Sequence, residues 1–206
     1  MVMSITHELK IGGFPCNFIM KKKTMTDWFD RWIDERNNLP QKSIIVTNRF
    51  RFPGYAERTS NLDDICYISI SASDECALEH FYDMEEASHY LPDDDNVLNL
   101  NFDDITEDFT FKNEFDEDIT YHAISMKQAK QIIDFVDRNK DKHIIVHCRA
   151  GQSRSVAVAR AIIDCYPDCY AENEFNLVHP LKTPNPDVLA KVKRAFYEKN
   201  GFFNEN

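Results

Sequence analysis

Apolar positions follow two different periods along this chain, and the two periods alternate from one segment to the next. Short apolar or alternating runs, which are typical of strands, occupy residues 43–47, 65–70, 97–102 and 144–146. Runs with helical spacing occupy residues 24–38, 73–88, 125–138, 156–163 and 185–196, and residues 171–178 are predicted as a further short helix. This order predicts an α/β fold in which a central, mostly parallel sheet is flanked by helices.

The sequence also indicates where several helices begin and end. Ser125 and Gln128 form a capping box, and Asn185 followed by Pro186 opens the last helix. Pro40 ends the first helix. The inner faces are predicted to carry Trp28, Phe29, Trp32 and Ile33; Ala77, Leu78, Phe81 and Met84; Ala129, Ile132, Ile133 and Val136; and Val188, Leu189, Val192 and Phe196.

The segment after the first predicted strand, residues 48–55, combines two arginines with three aromatic residues. We predict a surface loop that is anchored by its aromatic side chains, because most loop residues serve structure. The alternative is a rim beside a binding site, where Arg49 and Arg51 would meet a phosphate group.

Composition narrows the classes of protein and of partner. The 206 residues are 43% hydrophobic and 29% charged, which is typical of a globular chain. We expect residues 1–40 to form an N-terminal extension with one helix packed on the domain formed by residues 41–206. The net charge of −11 argues against nucleic-acid binding, and no apolar run is long enough to span a membrane. The six cysteines include no Cys-x-x-Cys pair, which fits a reducing cytosol, so we expect a cytoplasmic protein without membrane partners. The oligomeric state stays open.

Residues 143–155 carry the candidate chemistry, because a predicted buried strand, a tight loop and a predicted buried helix follow one another there. This order forms an anion site, since the N–H groups of the loop and the helix dipole both supply positive potential. Gly151 lets the backbone curl, and Arg154 can grip two phosphate oxygens. The same potential favours the thiolate form of Cys148.

His147 and Cys148, followed after five residues by Arg154 and Ser155, resemble the signature of the cysteine-dependent protein tyrosine phosphatase superfamily. The full run, His-Cys-Arg-Ala-Gly-Gln-Ser-Arg-Ser, is most similar to the dual-specificity phosphatase-like branch. The resemblance extends over residues 96–197 and more weakly from residue 43. It implies a phosphatase-like catalytic domain over residues 41–206.

The resemblance also implies a role for each residue of the loop. Cys148 would be the nucleophile, while His147 and Ser155 would support the loop and the sulfur. The phosphate oxygens would be bound by Arg149, Ala150, Gly151, Gln152, Ser153 and Arg154. Neither a cofactor nor a metal ion is expected.

A cysteine phosphatase also needs an acid that protonates the leaving oxygen. In the dual-specificity branch this aspartate follows a strand some tens of residues before the nucleophile. Alignment on the strand that ends near residue 102 matches Asp104 to that position, with Asp103 as the next candidate and Glu107 or Asp108 after it. The chain lacks the Trp-Pro-Asp form of the tyrosine-specific members.

Residues 93–118 are strongly acidic, with eleven acidic residues and one lysine. Part of this stretch could form a lid over the site, and its charge would favour substrates with basic residues around the phosphate. The alternative is a solvated loop that faces away from the site.

The resulting hypothesis is a protein phosphatase that acts on phosphotyrosine, with phosphoserine and phosphothreonine as further candidates. Its partner would be a phosphorylated protein. One alternative keeps the chemistry but changes the substrate to a phosphoinositide, a nucleotide or an RNA 5′-phosphate, and another is a non-catalytic, phosphoprotein-binding pseudophosphatase. A redox or sulfur-transfer protein would not need Arg154 at this spacing. Cys66 and Cys76 are candidates for a protective disulfide with Cys148, with buried inert thiols as the simpler interpretation.

Overall fold

The computed structural model describes residues 27–73, 89–172 and 183–202. The helices are α1 (Asp27–Glu35), α2 (Phe52–Thr59), α3 (Met126–Arg138), α4 (Arg154–Cys165) and α5 (Pro186–Lys199), and a 3-10 turn (Arg36–Asn38) follows α1. The strands are β1 (Lys42–Asn48), β2 (Ile65–Ser71), β3 (Val97–Asn101), β4 (Phe109–Lys112), β5 (Asp118–Tyr121), β6 (His143–Cys148) and β7 (Tyr170–Glu172). None of these helices is long and apolar enough to cross a membrane.

Five strands form one sheet in the order β3-β2-β6-β1-β7, and every neighbouring pair is parallel. β6 lies in the centre, where Ile144 pairs with Ile44 of β1 on one side and with Cys66 of β2 on the other. This arrangement confirms the predicted α/β fold with a central parallel sheet. Strands β4 and β5 form a separate antiparallel hairpin.

Side chains of the sheet alternate between two cores, as the strand period of two requires. On β6, Ile144 and Val146 pack with helices α3, α4 and α5, whereas Ile145 packs with α1 and α2. Phe29 and Trp32 of α1 are fully buried in this second core. Burial of each such side chain contributes about 2–3 kcal/mol, so α1 belongs to the hydrophobic core. The proposed division of the chain at residue 40 stays a prediction.

The predicted helix ends agree with the structure where it describes them. Ser125 Oγ accepts a hydrogen bond from the N–H of Gln128, and the Gln128 side chain accepts one from the N–H of Ser125, which completes the capping box. Asn185 caps α5, and Pro186 occupies its first turn. The first helix covers residues 27–35 of the predicted 24–38. The helix predicted for residues 73–88 falls outside the described residues after Ser73.

The prediction of a loop through residue 55 is wrong, because α2 begins at Phe52. Pro53 lies in the first turn of α2, where its missing N–H breaks no helical hydrogen bond. Phe52, Tyr55, Ala56 and Thr59 are buried along one face, so the helical spacing was present in a segment that proline and glycine made look like a turn.

The helix predicted at residues 171–178 is wrong at its start. Residues Tyr170–Glu172 form strand β7, which pairs with β1 at the edge of the sheet. Residues 173–178 lie outside the described ranges. An edge strand of three residues is too short for its hydrophobic period to identify it.

The acidic stretch contains a hairpin where a solvated loop was one of the predictions. Phe109 pairs with Tyr121 and Phe111 with Ile119, and Asp116 adopts a φ of 62° in the connection. The apolar residues alternate along both strands, which is the signal for a strand that the charge of the segment obscured.

Candidate active site

The carboxyl ends of four parallel strands meet at one edge of the sheet, where open α/β folds place their ligands. β6 ends there at Cys148, between the ends of β1 and β2, and the chain leaving β3 runs through Asp103 and Asp104. A cavity of about 350 Å³ lies at this edge. The cavity is lined by Ala72, Asp103, Asp104, Ile105, Tyr121, Cys148, Arg149, Ala150, Gln152, Ser153 and Arg154.

The loop between β6 and α4 is curled tightly against β1. Gly151 has a φ of +68°, and a Cβ atom there would lie 2.6 Å from the carbonyl oxygen of Thr47. Only glycine fits this position without strain. The Arg149 carbonyl accepts a hydrogen bond from the N–H of Arg49 at 3.2 Å, and the Gln152 carbonyl accepts one from the N–H of Thr183 at 3.0 Å.

Cys148 lies at the bottom of the cavity and is only 2% exposed. Its sulfur is 3.1 Å from the hydroxyl oxygen of Ser155, in the first turn of α4. The sulfur therefore sits beside the positive end of a helix dipole and beside a hydroxyl that can donate to a thiolate.

The Arg154 side chain is buried and is held by hydrogen bonds to backbone carbonyl oxygens. Its Nη1 donates to the carbonyl oxygen of Phe102 at 2.7 Å and to that of Ser71 at 3.3 Å. Its Nε is buried and has no hydrogen-bond partner among the described residues. A buried donor of this kind carries a desolvation cost of about 1–3 kcal/mol until an acceptor reaches it, and an anion in the cavity would supply that acceptor.

The two aspartates after β3 have different surroundings. Asp103 is 3% exposed, and its carboxylate accepts hydrogen bonds from the N–H and hydroxyl of Ser73 and from the N–H of His122, at 2.6–3.0 Å. These three donors occupy the carboxylate and join the ends of β2 and the hairpin. The contacts indicate a structural part for Asp103.

Asp104 is exposed on the wall of the cavity. Its Oδ1 accepts hydrogen bonds from the Ser153 hydroxyl at 2.7 Å and from the Asn185 amide at 2.9 Å. Both contacts use the same carboxylate oxygen. Asp108 accepts a hydrogen bond from the N–H of Ala123 at 2.9 Å, which holds this third aspartate at the base of the hairpin.

A chain of polar side chains extends from His147 behind the loop. His147 Nε2 lies 2.8 Å from Ser69 Oγ, Ser69 Oγ lies 2.8 Å from Nδ1 of His89, and His89 Nε2 lies 2.8 Å from Asn101 Oδ1. Burial lowers the pKa of His147 to about 3, and its ring centroid lies 4.0 Å from that of Phe52, with the two ring planes tilted by 30°. The His147 ring is therefore neutral at pH 7.

Sequence reasoning missed Ser69, His89 and Asn101, because isolated polar residues on or beside apolar strands carry no motif. It recognised Asn185 as a helix cap but missed its contact with Asp104. That contact links residues 81 positions apart, and no local pattern reports it.

Two other predictions concern thiols and metals. Cys66 pairs with Ile144, four residues before Cys148 along β6, which places it roughly 13 Å away at the rise of a strand. A direct Cys66–Cys148 disulfide is therefore excluded in this fold, and burial raises the pKa of the Cys66 thiol to about 12. Cys76 lies outside the described residues.

Within the described ranges, no group of three His, Cys, Asp or Glu residues could hold a metal ion.

Comparisons with known proteins found a structural likeness but no matching family model. A scan against protein-family models and a search of curated proteins found no match. A search of solved structures found the crystal structure of PTPMT1 in complex with PI(5)P, with 12% sequence identity, coverage of 78% of this chain and 94% of that chain, and a TM-score of 0.42.

Proposed function

We propose that this chain is a cysteine-dependent phosphatase that hydrolyses phosphate monoesters through a phosphocysteine intermediate. One observation carries the proposal: Cys148, Arg154 and Asp104 line the same cavity at the carboxyl edge of the sheet. A nucleophile, a phosphate clamp and an acid are the groups that this reaction requires.

The first step uses the loop and its arginine. The thiolate of Cys148 attacks phosphorus in line with the leaving oxygen and forms a sulfur–phosphorus bond as the oxygen–phosphorus bond breaks. The N–H groups of residues 149–154 and the Nε of Arg154 hold the equatorial oxygens. Because Phe102 and Ser71 already fix the guanidinium through Nη1, Arg154 needs little reorganisation when substrate arrives.

Asp104 transfers a proton in each of the two steps. Protonated Asp104 donates its proton to the leaving oxygen and then accepts a proton from the water that attacks the phosphocysteine. Ser153 and Asn185 hold Oδ1 of this carboxylate. Ser155 donates to the departing sulfur, which stabilises the thiolate as the second bond breaks.

The substrate that we propose is phosphotyrosine in proteins, with phosphoserine and phosphothreonine next. A phosphoinositide is the second candidate class, because Arg49 and Arg149 lie beside Arg154 and add positive charge next to the site. Nucleotides and RNA 5′-phosphates would use the same chemistry but meet a chain with a net charge of −11.

Hydrolysis of para-nitrophenyl phosphate in EDTA tests the proposal. We expect turnover by the native protein and none by Cys148→Ser, with vanadate as a competitive inhibitor. Ser60→Ala, an exposed position at the end of α2, is the matched control and should retain full activity. Equal rates in the native and Cys148→Ser proteins would overturn the proposal. Vanadate binding without turnover would instead favour the phosphate-binding pseudophosphatase.

A further inference from the structure

The β4–β5 hairpin presents an aromatic face beside the catalytic cavity. Phe109, Phe111, Ile119 and Tyr121 alternate along the two strands and therefore share one face. The ring centroids of Phe109 and Phe111 are 5.8 Å apart, and those of Phe111 and Tyr121 are 5.6 Å apart. Phe109 is 57% exposed, Phe111 and Tyr121 are partly exposed, and Ile119 is buried. We call Phe109, Phe111 and Tyr121 the hairpin face.

The hairpin face is continuous with the catalytic cavity. Tyr121 lines that cavity together with Cys148 and Asp104. The base of the hairpin is fixed there, because the N–H of Asp103 donates to the carbonyl of His122 at 2.7 Å and the N–H of His122 donates back to the Asp103 carboxylate at 2.8 Å. A substrate whose phosphate reaches Cys148 would therefore have its neighbouring groups over the hairpin face.

The charge around the hairpin face is negative. Residues 103–121 contain eight acidic residues and one lysine. Lys112 pairs with Asp116 at 2.9 Å, whereas the exposed Glu107 and Glu114 have no ion-pair partner within the described ranges. Aromatic rings beside carboxylates attract lysine and arginine side chains through cation–π contacts and ion pairs. The same potential repels anionic lipid surfaces and nucleic acids.

We propose that the hairpin face binds the polypeptide of a protein substrate on either side of the phosphorylated residue. The segment it fits carries lysine or arginine and an apolar side chain within a few residues of the phosphate. This inference rests on the proposed phosphatase function and deepens it, because it selects basic phosphopeptides over a phosphoinositide headgroup in a bilayer.

Two phosphotyrosine peptides of equal length test the native protein, one with lysine and arginine flanks and one with glutamate and aspartate flanks. para-Nitrophenyl phosphate is the reference substrate, since it is too small to reach beyond the cavity. We expect kcat/KM to favour the basic peptide by about tenfold at low ionic strength, with the preference falling as salt rises.

Variants then locate the preference on the hairpin face. Glu114→Lys, and separately Phe109→Ser, should lower kcat/KM on the basic peptide by about three- to tenfold and leave para-nitrophenyl phosphate unchanged. The matched controls are Asp63→Lys, exposed before β2 at the opposite edge of the sheet, and Phe202→Ser, 70% exposed after α5. Neither control should change the preference.

Each remaining outcome is decisive. A native protein without the preference, or a preference that survives in the hairpin variants, overturns the inference while the phosphatase reaction stands. Faster hydrolysis of a phosphoinositide in anionic vesicles than of either peptide also overturns it. If para-nitrophenyl phosphate is not hydrolysed, the proposed function fails. Binding of the same two peptides to Cys148→Ser then tests the hairpin face separately: tighter binding of the basic peptide supports it, and equal binding overturns it.

Discussion

Strand β6 carries two buried histidines, and we expect their protonation to make the free energy of unfolding depend on pH. His143 accepts a hydrogen bond at Nδ1 from the N–H of Ser43 at 2.9 Å, and burial lowers the pKa of its ring to about 4. Burial also lowers the pKa of His147 to about 3. The folded protein therefore keeps both rings neutral at pH values where the unfolded chain protonates them.

The sign and size of the effect follow from these pKa values. Between about pH 6.5 and pH 4, the unfolded chain binds a proton at each ring and the folded protein does not, so the free energy of unfolding falls as the pH falls. Each pH unit below 6.5 removes about 1.4 kcal/mol per ring, which amounts to about 2 kcal/mol per ring between pH 8 and pH 5. Both rings together would remove about 4 kcal/mol, a large share of the roughly 5–15 kcal/mol typical of a domain.

Urea unfolding at pH 8, 7, 6 and 5 measures this loss. His143→Gln keeps an acceptor for Ser43 but cannot titrate, so its free energy of unfolding should fall by about 2 kcal/mol less over the same range. Ser60→Ala is the control, because it removes an exposed hydroxyl at the end of α2 and no titratable group, so it should leave the slope unchanged. The reasoning is refuted if His143→Gln keeps the native slope, or if an NMR titration places the His143 midpoint near 6.5.

Three further predictions concern the site. Gly151→Ala should destabilise the protein by at least about 1–2 kcal/mol in thermal unfolding and abolish turnover, because its Cβ would meet the Thr47 carbonyl at a positive φ; a native-like Tm with full activity would contradict this. Asp104→Asn should lower kcat by about 10²–10³-fold on a phosphopeptide and much less on para-nitrophenyl phosphate, whose leaving group needs no proton; equal losses on both substrates would remove Asp104 as the acid. Ser155→Ala should slow breakdown of the phosphocysteine on Cys148, so stopped-flow measurements should show a burst of para-nitrophenol. A slower burst followed by an unchanged steady-state rate would instead place Ser155 in the first step.

The sequence predicts the parts of this fold that have local signals. The central strand and the helices α3 and α5 follow from their hydrophobic periods and caps, and Ser125 and Asn185 occupy the predicted cap positions. Helix α2 was missed because Pro53 and Gly54 resemble a turn when tertiary burial of Phe52 is unknown. The hairpin was missed because net charge dominated the interpretation of a segment whose apolar residues alternate.

The sequence likewise predicts only those parts of the candidate site that have a local signal. Residues of the loop can be identified from Cys148 to Arg154 because the chemistry requires them at fixed spacing. The sequence favours Asp104 over Asp103 only through alignment on the end of the strand, and the different donors that the fold brings to the two carboxylates have no local signal. Those donors come from β2, the hairpin, the loop and α5, and no local pattern combines them.

The side chain of Asn185 caps α5 and also contacts the segment that carries Asp104. Its carbonyl oxygen accepts from the N–H groups of Asp187 and Val188, and its amide nitrogen donates to Asp104 and to the carbonyl of Ile105. Local unfolding of the first turn of α5 would therefore release the Asp104 segment, so hydrogen exchange in that turn and the rate of catalysis should respond together to temperature. An aspartate at this position would keep the helix cap and lose the grip on Asp104, which would separate a folding determinant from a functional one within a single side chain.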